Sequence, residues 1–286
     1  MSFRFLVADC ETAQHRAERR ASVGASSGES LAALLRRLSL ECAPDVCTPA
    51  DGDAPDAAAL AGYDGVLLTG SPIHIYEPIP AARREVAFMR NVFASGTPSF
   101  GSCAGLQVAA VAAGGRVAPL GRPREAGFAR RIWPTEVGRT HPLLRGRPLA
   151  YDAPTIHGDQ VERLPEGAVH LAGNLHTAVQ AAEIRHGRGV FWGVQYHPEL
   201  SLGEVAAALR RSADSLVADG LAEDPQGVDT HAALIEALGR EPERLDLQWR
   251  LGVDRQVAID ELRHTELRNF IEHLVRPTRR ERGRNA

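Results

Sequence analysis

Three observations predict an α/β protein built on a parallel or mostly parallel sheet covered by helices. Short apolar runs alternate with amphipathic helical ones: FRFLVA, ESLAALLRRLS, GVLLT, AARREVAFMRNVFA. Glycine, proline and serine turns bound these runs. Two of the extended runs end on small-residue turns, TGSP at residues 69–72 and GSCAGLQ at residues 101–107. Such turns lie beyond the carboxyl ends of parallel strands, where open sheets of this kind bind ligands.

In chain order, residues 3–8 read as a buried first strand, and the polar AERRASVGASSGES after it as a mobile surface loop. Residues 29–39 carry a leucine stripe and read as a helix. A strand over residues 65–69 and a helix from Ala81 follow. TPSFGSC then brings a strand to Cys103, and LQVAAVAA opens a buried helix. GRVAPL, AVHLAG, AVQAAEIR and GVFWGVQYH read as later strands. RIWPTEVGRTHPLLRGRPLAYDAP carries too much proline and glycine to assign. Ser201 and Glu204 stand in capping-box spacing, which predicts a helix from there to about Asp219. EDPQG at residues 223–227 reads as a linker. Helical segments resume at Asp229, and Ile259, Leu262, Leu267, Phe270, Ile271 and Leu274 fall near one face. These helices are expected to pack on the parent domain or on a second copy of the chain. RPTRRERGRNA, with five arginines, reads as a solvated, disordered tail.

With 286 residues the chain can bury a large core. A net charge of −3, from 33 basic and 36 acidic residues, calls for neither nucleic acid nor an anionic membrane as partner. The N-terminal apolar run is too short for a signal peptide or a membrane span. Four cysteines, at 10, 42, 47 and 103, form neither a dense disulfide framework nor a CxxC pair, which points to a reducing, cytoplasmic setting. The eleven histidines show no metal-ligand spacing, and neither a phosphate loop nor GxGxxG is present, so no metal or cofactor is expected.

Cys103 is the residue with chemical promise. Gly101 and Gly105 let a strand-to-helix corner form without side-chain collisions, leaving the thiol exposed at a helix N-terminus that favours its anion. GVQYHPEL supplies His197 as a base and Glu199 to orient its second nitrogen, with Pro198 stiffening the link. The amide of Ala104, with one from the TGSP turn near Gly70 and Ser71, would hold a tetrahedral oxyanion.

These motifs resemble those of the class I (triad) glutamine amidotransferases, particularly the amidotransferase part of GMP synthase and its stand-alone relatives. GSCAGLQVAAVAAGG is similar to their nucleophile motif, GVQYHPEL to their His/Glu motif and TGSP to their oxyanion loop; IHGDQVERLPEG and HTAVQAAEIR match two further segments. The resemblance spans roughly residues 3–200. It implies a flavodoxin-like three-layer sandwich over residues 1–220 and a helical extension over 221–286. It also implies a glutaminase in which Cys103 is nucleophile, His197 base and acid, and Glu199 the orienting carboxylate. Gly70 and Ala104 would supply oxyanion amides; Gln107, His157 and Asp159 would shape the pocket for L-glutamine. His157 equally suits a turn beside the site, and Asp159 a cap on local amides. Ser102 and Ala104 depart from the family pattern and are expected to widen the pocket. The pyrophosphatase domain of GMP synthase has no counterpart after Gly203, so ammonia would pass to a separate acceptor synthase. Two alternatives stay open: hydrolysis of another γ-glutamyl amide, and a weakly active regulatory or scaffold subunit using its C-terminal helices.

Overall fold

The computed structural model describes residues 3–39 and 42–283. Its first half alternates as expected. β1 (Phe3–Ala8) is followed by α1 (Ala13–Val23), α2 (Ser27–Leu38), β2 (Cys42–Cys47), α3 (Ala57–Leu60), β3 (Gly65–Leu68), α4 (Pro80–Ser95), β4 (Ser99–Ser102) and α5 (Ala104–Ala112). β5 (Arg116–Pro119), β6 (Glu125–Pro134), β7 (Tyr151–His157), β8 (Asp159–Arg163), β9 (Val169–Gly173), β10 (Ala181–His186) and β11 (Gly189–Val194) follow without an intervening α-helix.

One sheet has the order β2-β1-β3-β4-β11-β10-β9-β6-β7, and β5 pairs with β8 apart from it. Pairing is parallel from β2 through to β11 and antiparallel from β11 onward. The parallel half therefore has the 2-1-3-4-5 order of flavodoxin-like sheets. Its inner strands β1 and β3 carry apolar residues on both sides, as a doubly covered sheet requires. Leu6 and Ala8 of β1 face the core under α4 and α5, while Phe3, Phe5 and Val7 face the core under α2. Leu67 and its neighbours Val66 and Leu68 divide in the same way. Helices above and below one sheet give the three layers.

Beyond β11 come α6 (Leu202–Arg211), α7 (Ala213–Ala218), α8 (Pro225–Arg240), α9 (Leu245–Leu251), α10 (Arg255–Ala258), α11 (Asp260–Arg263), α12 (Thr265–Phe270) and, after a π-helical turn at Ile271–Val275, α13 (Arg276–Glu281). Leu267, Phe270, Ile271 and Val275 sit in the same apolar cluster as Phe5 and Leu67 of the sheet. α6 and α8 share a third cluster through Leu202, Val205, Ala232 and Ile235. Among the described residues no helix is long and apolar enough to cross a membrane.

Four readings of the sequence need correction. The polar segment after β1 is not a loop: Thr12 caps α1, and Ser26 caps α2 in a full capping box with Glu29. Short-range polar capping stands in for the apolar periodicity that α1 lacks. The unassigned proline-rich stretch holds the end of β6 and the start of β7, paired through a bulge between Ala129 and Ile132. EDPQG starts α8, with Asp224 as N-cap and Pro225 in the first turn. The basic tail is helical over Arg276–Glu281 and docked: the Arg279 guanidinium stands 4.6 Å over the Phe3 ring, and Arg282 donates to the Gly96 carbonyl. Residues 284–286 of that tail lie outside the described residues.

Candidate active site

Cys103 forms the corner between β4 and α5 by itself. Its backbone adopts φ 52°, ψ −109°, a left-handed region that costs a non-glycine residue about 1–3 kcal/mol. Pairing on both sides holds it there: its amide donates to the Val194 carbonyl at 2.8 Å, and its carbonyl accepts from the Gln107 amide at 3.2 Å. The flanking glycines serve close approach. A Cβ on Gly101 would meet the Gly105 backbone at 2.9 Å, and one on Gly105 the Leu68 carbonyl oxygen at 2.9 Å. Strand, helix and β3 thus touch backbone to backbone.

His197 and Glu199 follow β11, next to β4 in the sheet. The His197 amide donates to the Pro154 carbonyl at 2.8 Å, fixing the loop on β7. Its Nδ1 lies 2.7 Å from Glu199 Oε1. Gly70 leaves the space that the ring occupies: a Cβ there would stand 2.6 Å from His197 Cε1, 3.5 Å from Nε2 and 3.6 Å from Cys103 Cβ. Cys103, His197 and Gly70 therefore meet in one contact shell. Burial alone would push the imidazole down. The Glu199 charge and the sulfur of Cys103, with hydrogen bonds to both, outweigh it and raise the ring to about 10, so it carries a proton at neutral pH.

Ser102 does not widen the pocket. It is buried and donates Oγ to Glu199 Oε1 at 2.8 Å, so one carboxylate oxygen serves both the serine and the histidine. The other, Oε2, is buried without a partner among the described residues. Ala104 is buried too, in the first turn of α5, where amides have no intrahelical acceptor.

Gln107, His157 and Asp159 all line the cavity that opens over Cys103, which measures about 530 Å³. Their side chains are also engaged within the protein. Gln107 Nε2 donates to the Asp159 carbonyl and to Gln195 Oε1, both at 3.2 Å. His157 donates Nδ1 to the Asp159 carbonyl at 2.9 Å, and its Nε2 lies 3.0 Å from Glu125 Oε2. Asp159 accepts from the Tyr76 hydroxyl at 3.2 Å and lies 2.6 Å from His74 Nδ1, tying the segment after β3 to β8.

Two buried clusters behind the site were absent from the sequence reading. Glu125 accepts from Asn174, Thr177 and Gln180 as well as facing His157; burial raises its carboxyl, but His157 and these donors hold it below the usual range. Glu266 of α12 pairs with Arg147 through two 2.7 Å contacts and accepts from the Tyr196 hydroxyl at 2.8 Å, directly behind His197. No local pattern announces either, because each carboxylate stands 32 to 119 residues from its partners.

A flavodoxin-like sheet with a cysteine corner beside a His/Glu pair defines a class of cysteine-centred α/β proteins, and the comparisons give the family. The chain belongs to the class I glutamine amidotransferases: the family model described as glutamine amidotransferase class-I matches residues 23–213. A Pseudomonas protein named γ-glutamyl-L-1-hydroxyisopropylamide hydrolase is 40% identical over 280 residues, 96% of this chain and 94% of that protein. The GMP synthase of Leifsonia xyli is 36% identical over 169 residues, 59% of this chain but only 31% of that protein. A glutamine amidotransferase structure from Thermotoga maritima superposes with a TM-score of 0.66 at 18% identity, over 96% of this chain and 99% of that one, a likeness of fold.

Proposed function

We propose that this chain hydrolyses the γ-amide bond of an N-substituted γ-glutamyl amide through a cysteinyl thioester. The observation that carries the reading is the meeting of Cys103, His197 and Glu199 at the rim of β4 and β11. The nature of the amide is supported by the end-to-end match with the Pseudomonas hydrolase, which takes in the C-terminal helices as well as the sheet.

In this mechanism the sulfur of Cys103 adds to the γ-carbonyl carbon. The proton of the Cys103–His197 pair resides on the imidazole, where Glu199 stabilises it. The oxyanion is met by the amides of Gly70 and Ala104, and Gln107, His157 and Asp159 shape the glutamyl end of the pocket. The carbon–nitrogen bond then breaks, the imidazolium gives its proton to the leaving amine, and the glutamyl thioester remains. Water, deprotonated by His197, adds to the thioester, releasing glutamate and restoring the thiol.

The matches to GMP synthases favour a second reading, hydrolysis of L-glutamine with ammonia delivered to an acceptor synthase. kcat/KM for L-glutamine and for a series of γ-glutamyl alkylamides separates the two. The first reading expects a substituted amide to be the better substrate of the free chain. Faster turnover of L-glutamine, stimulated by a synthase, would replace it with the second. Hydrolysis undiminished in C103A would sink both.

A further inference from the structure

The cavity over Cys103 does not end at the glutamyl pocket. Its lining also takes in residues of α1 and α6, and this part of it is a corridor between the two helices. His15 and Arg19, four residues apart on α1, form one wall; Glu204, Ala208 and Arg211 repeat along one face of α6 to form the other. Its floor is Glu11, just past the carboxyl end of β1. The sheet order β1-β3-β4 places that strand end two strand spacings, about 10 Å, from the one that bears Cys103.

Most charged groups of the corridor satisfy one another. Arg19 donates to Ser27 Oγ at 2.8 Å, to Ser30 Oγ at 3.4 Å and to Glu204 Oε1 at 2.7 Å. Glu204 spends its other oxygen on the capping box of α6. Arg211 donates to Ser22 Oγ at 2.7 Å. Glu11 differs: it is only 8% exposed, and among the described residues its carboxylate draws its hydrogen bonds from Ser27, whose amide lies 3.5 Å from Oε2 and whose hydroxyl adds to it, while Arg19 acts on it through charge. Burial and the charge of Asp9 push its carboxyl up, outweighing Arg19 and Ser27, which pull it down.

Resting on the proposed function, we infer that this corridor is the subsite for the leaving amine, and that Glu11 selects amines carrying a hydroxyl on a short aliphatic arm. The leaving nitrogen must face His197 to be protonated, so its substituent points away from the Asp159 side and into the corridor. A two-carbon arm from that nitrogen, with a hydrogen bond at its end, bridges most of the gap to Glu11. A neutral donor fits best: Arg19 and Arg211 repel a cationic end, and Glu11, Glu18 and Glu204 an anionic one. Glu11, His15 and Arg19 also precede residues 23–213, the span of the family match, so the proposed selection lies outside the shared chemistry.

The test compares γ-glutamyl-2-hydroxyethylamide with its isostere γ-glutamyl-n-propylamide. The native chain should prefer the hydroxyl compound in kcat/KM by roughly ten- to a hundredfold, since the isostere covers the Glu11 carboxylate without offering it a donor. In E11L the ratio should collapse to near one. A208W narrows the corridor without touching Glu11 and should shift preference from the hydroxyethylamide toward L-glutamine; this second variant keeps the test decisive if E11L fails to fold. Equal use of the two amides by the native chain, or an unaltered ratio in folded E11L, overturns the inference while Cys103-dependent hydrolysis of both leaves the proposed function standing. Hydrolysis of neither amide overturns the two together.

Discussion

Gly70→Ala is the sharpest perturbation of the site. The added Cβ would lie 2.6 Å from His197 Cε1, whereas carbon atoms rest at about 3.5–4.0 Å, so the ring must retreat by roughly 1 Å. It has little freedom to do so, because Nδ1 is held 2.7 Å from Glu199 and the backbone amide is bonded to Pro154. Gly70 is not among the positive-φ glycines, so alanine brings no backbone penalty, and the residue keeps its amide. A misplacement of that size costs about a hundredfold in rate, or about 2.7 kcal/mol of barrier. Steady-state hydrolysis of a γ-glutamyl amide should therefore show kcat reduced about 100-fold, with urea unfolding showing that most molecules remain folded. If G70A turned over within twofold of the native rate, His197 would not be poised where this geometry puts it.

Three further outcomes follow from buried charge. His197 is raised from an ordinary 6.5 to about 10, so kcat/KM should fall as pH climbs through about 10 and the proton for the leaving amine is lost; its contribution to stability is complete below about 6.5 and is lost as pH rises through about 10, so the thermal midpoints of H197N and the native chain should converge over that interval, and a gap that widens would reverse the sign. Glu266→Gln strips the anionic partner from buried Arg147 and should cost about 3–5 kcal/mol in urea unfolding, whereas the R147M/E266L pair should stay near native; a double variant as weak as the single one refutes this account. Glu85 is buried with both oxygens unpartnered among the described residues, and burial first, then Asp9, raises its carboxyl; stability is lost as pH rises through that raised value. Glu85→Met should thus add about 1–2 kcal/mol, the gain growing with pH, and a loss at every pH would reveal a partner for the carboxylate.

The residue order alone determined the parallel half of the sheet and the two motifs of the site. β1, β3 and β4 are short and almost wholly buried, and β3 and β4 run into small-residue turns, so pattern and fold coincide there. The capping box at Ser201 and Glu204 was equally legible, because its spacing is its geometry. Tertiary structure decided the rest. α1 is too polar to announce a buried face, and it acquires a wall to pack on only when α6 arrives with Glu204 for Arg19, 185 residues later. Ser102 reads as a small residue until β11 brings Glu199 within 2.8 Å of it. The basic segment Arg276–Glu281 and Arg282 dock because Phe3, Asp64 and Gly96 offer their arginines an aromatic face, a carboxylate and a carbonyl. Local pattern encodes periodicity and turns, whereas a charge buried across the sheet is stabilised only by a partner that folding brings to it.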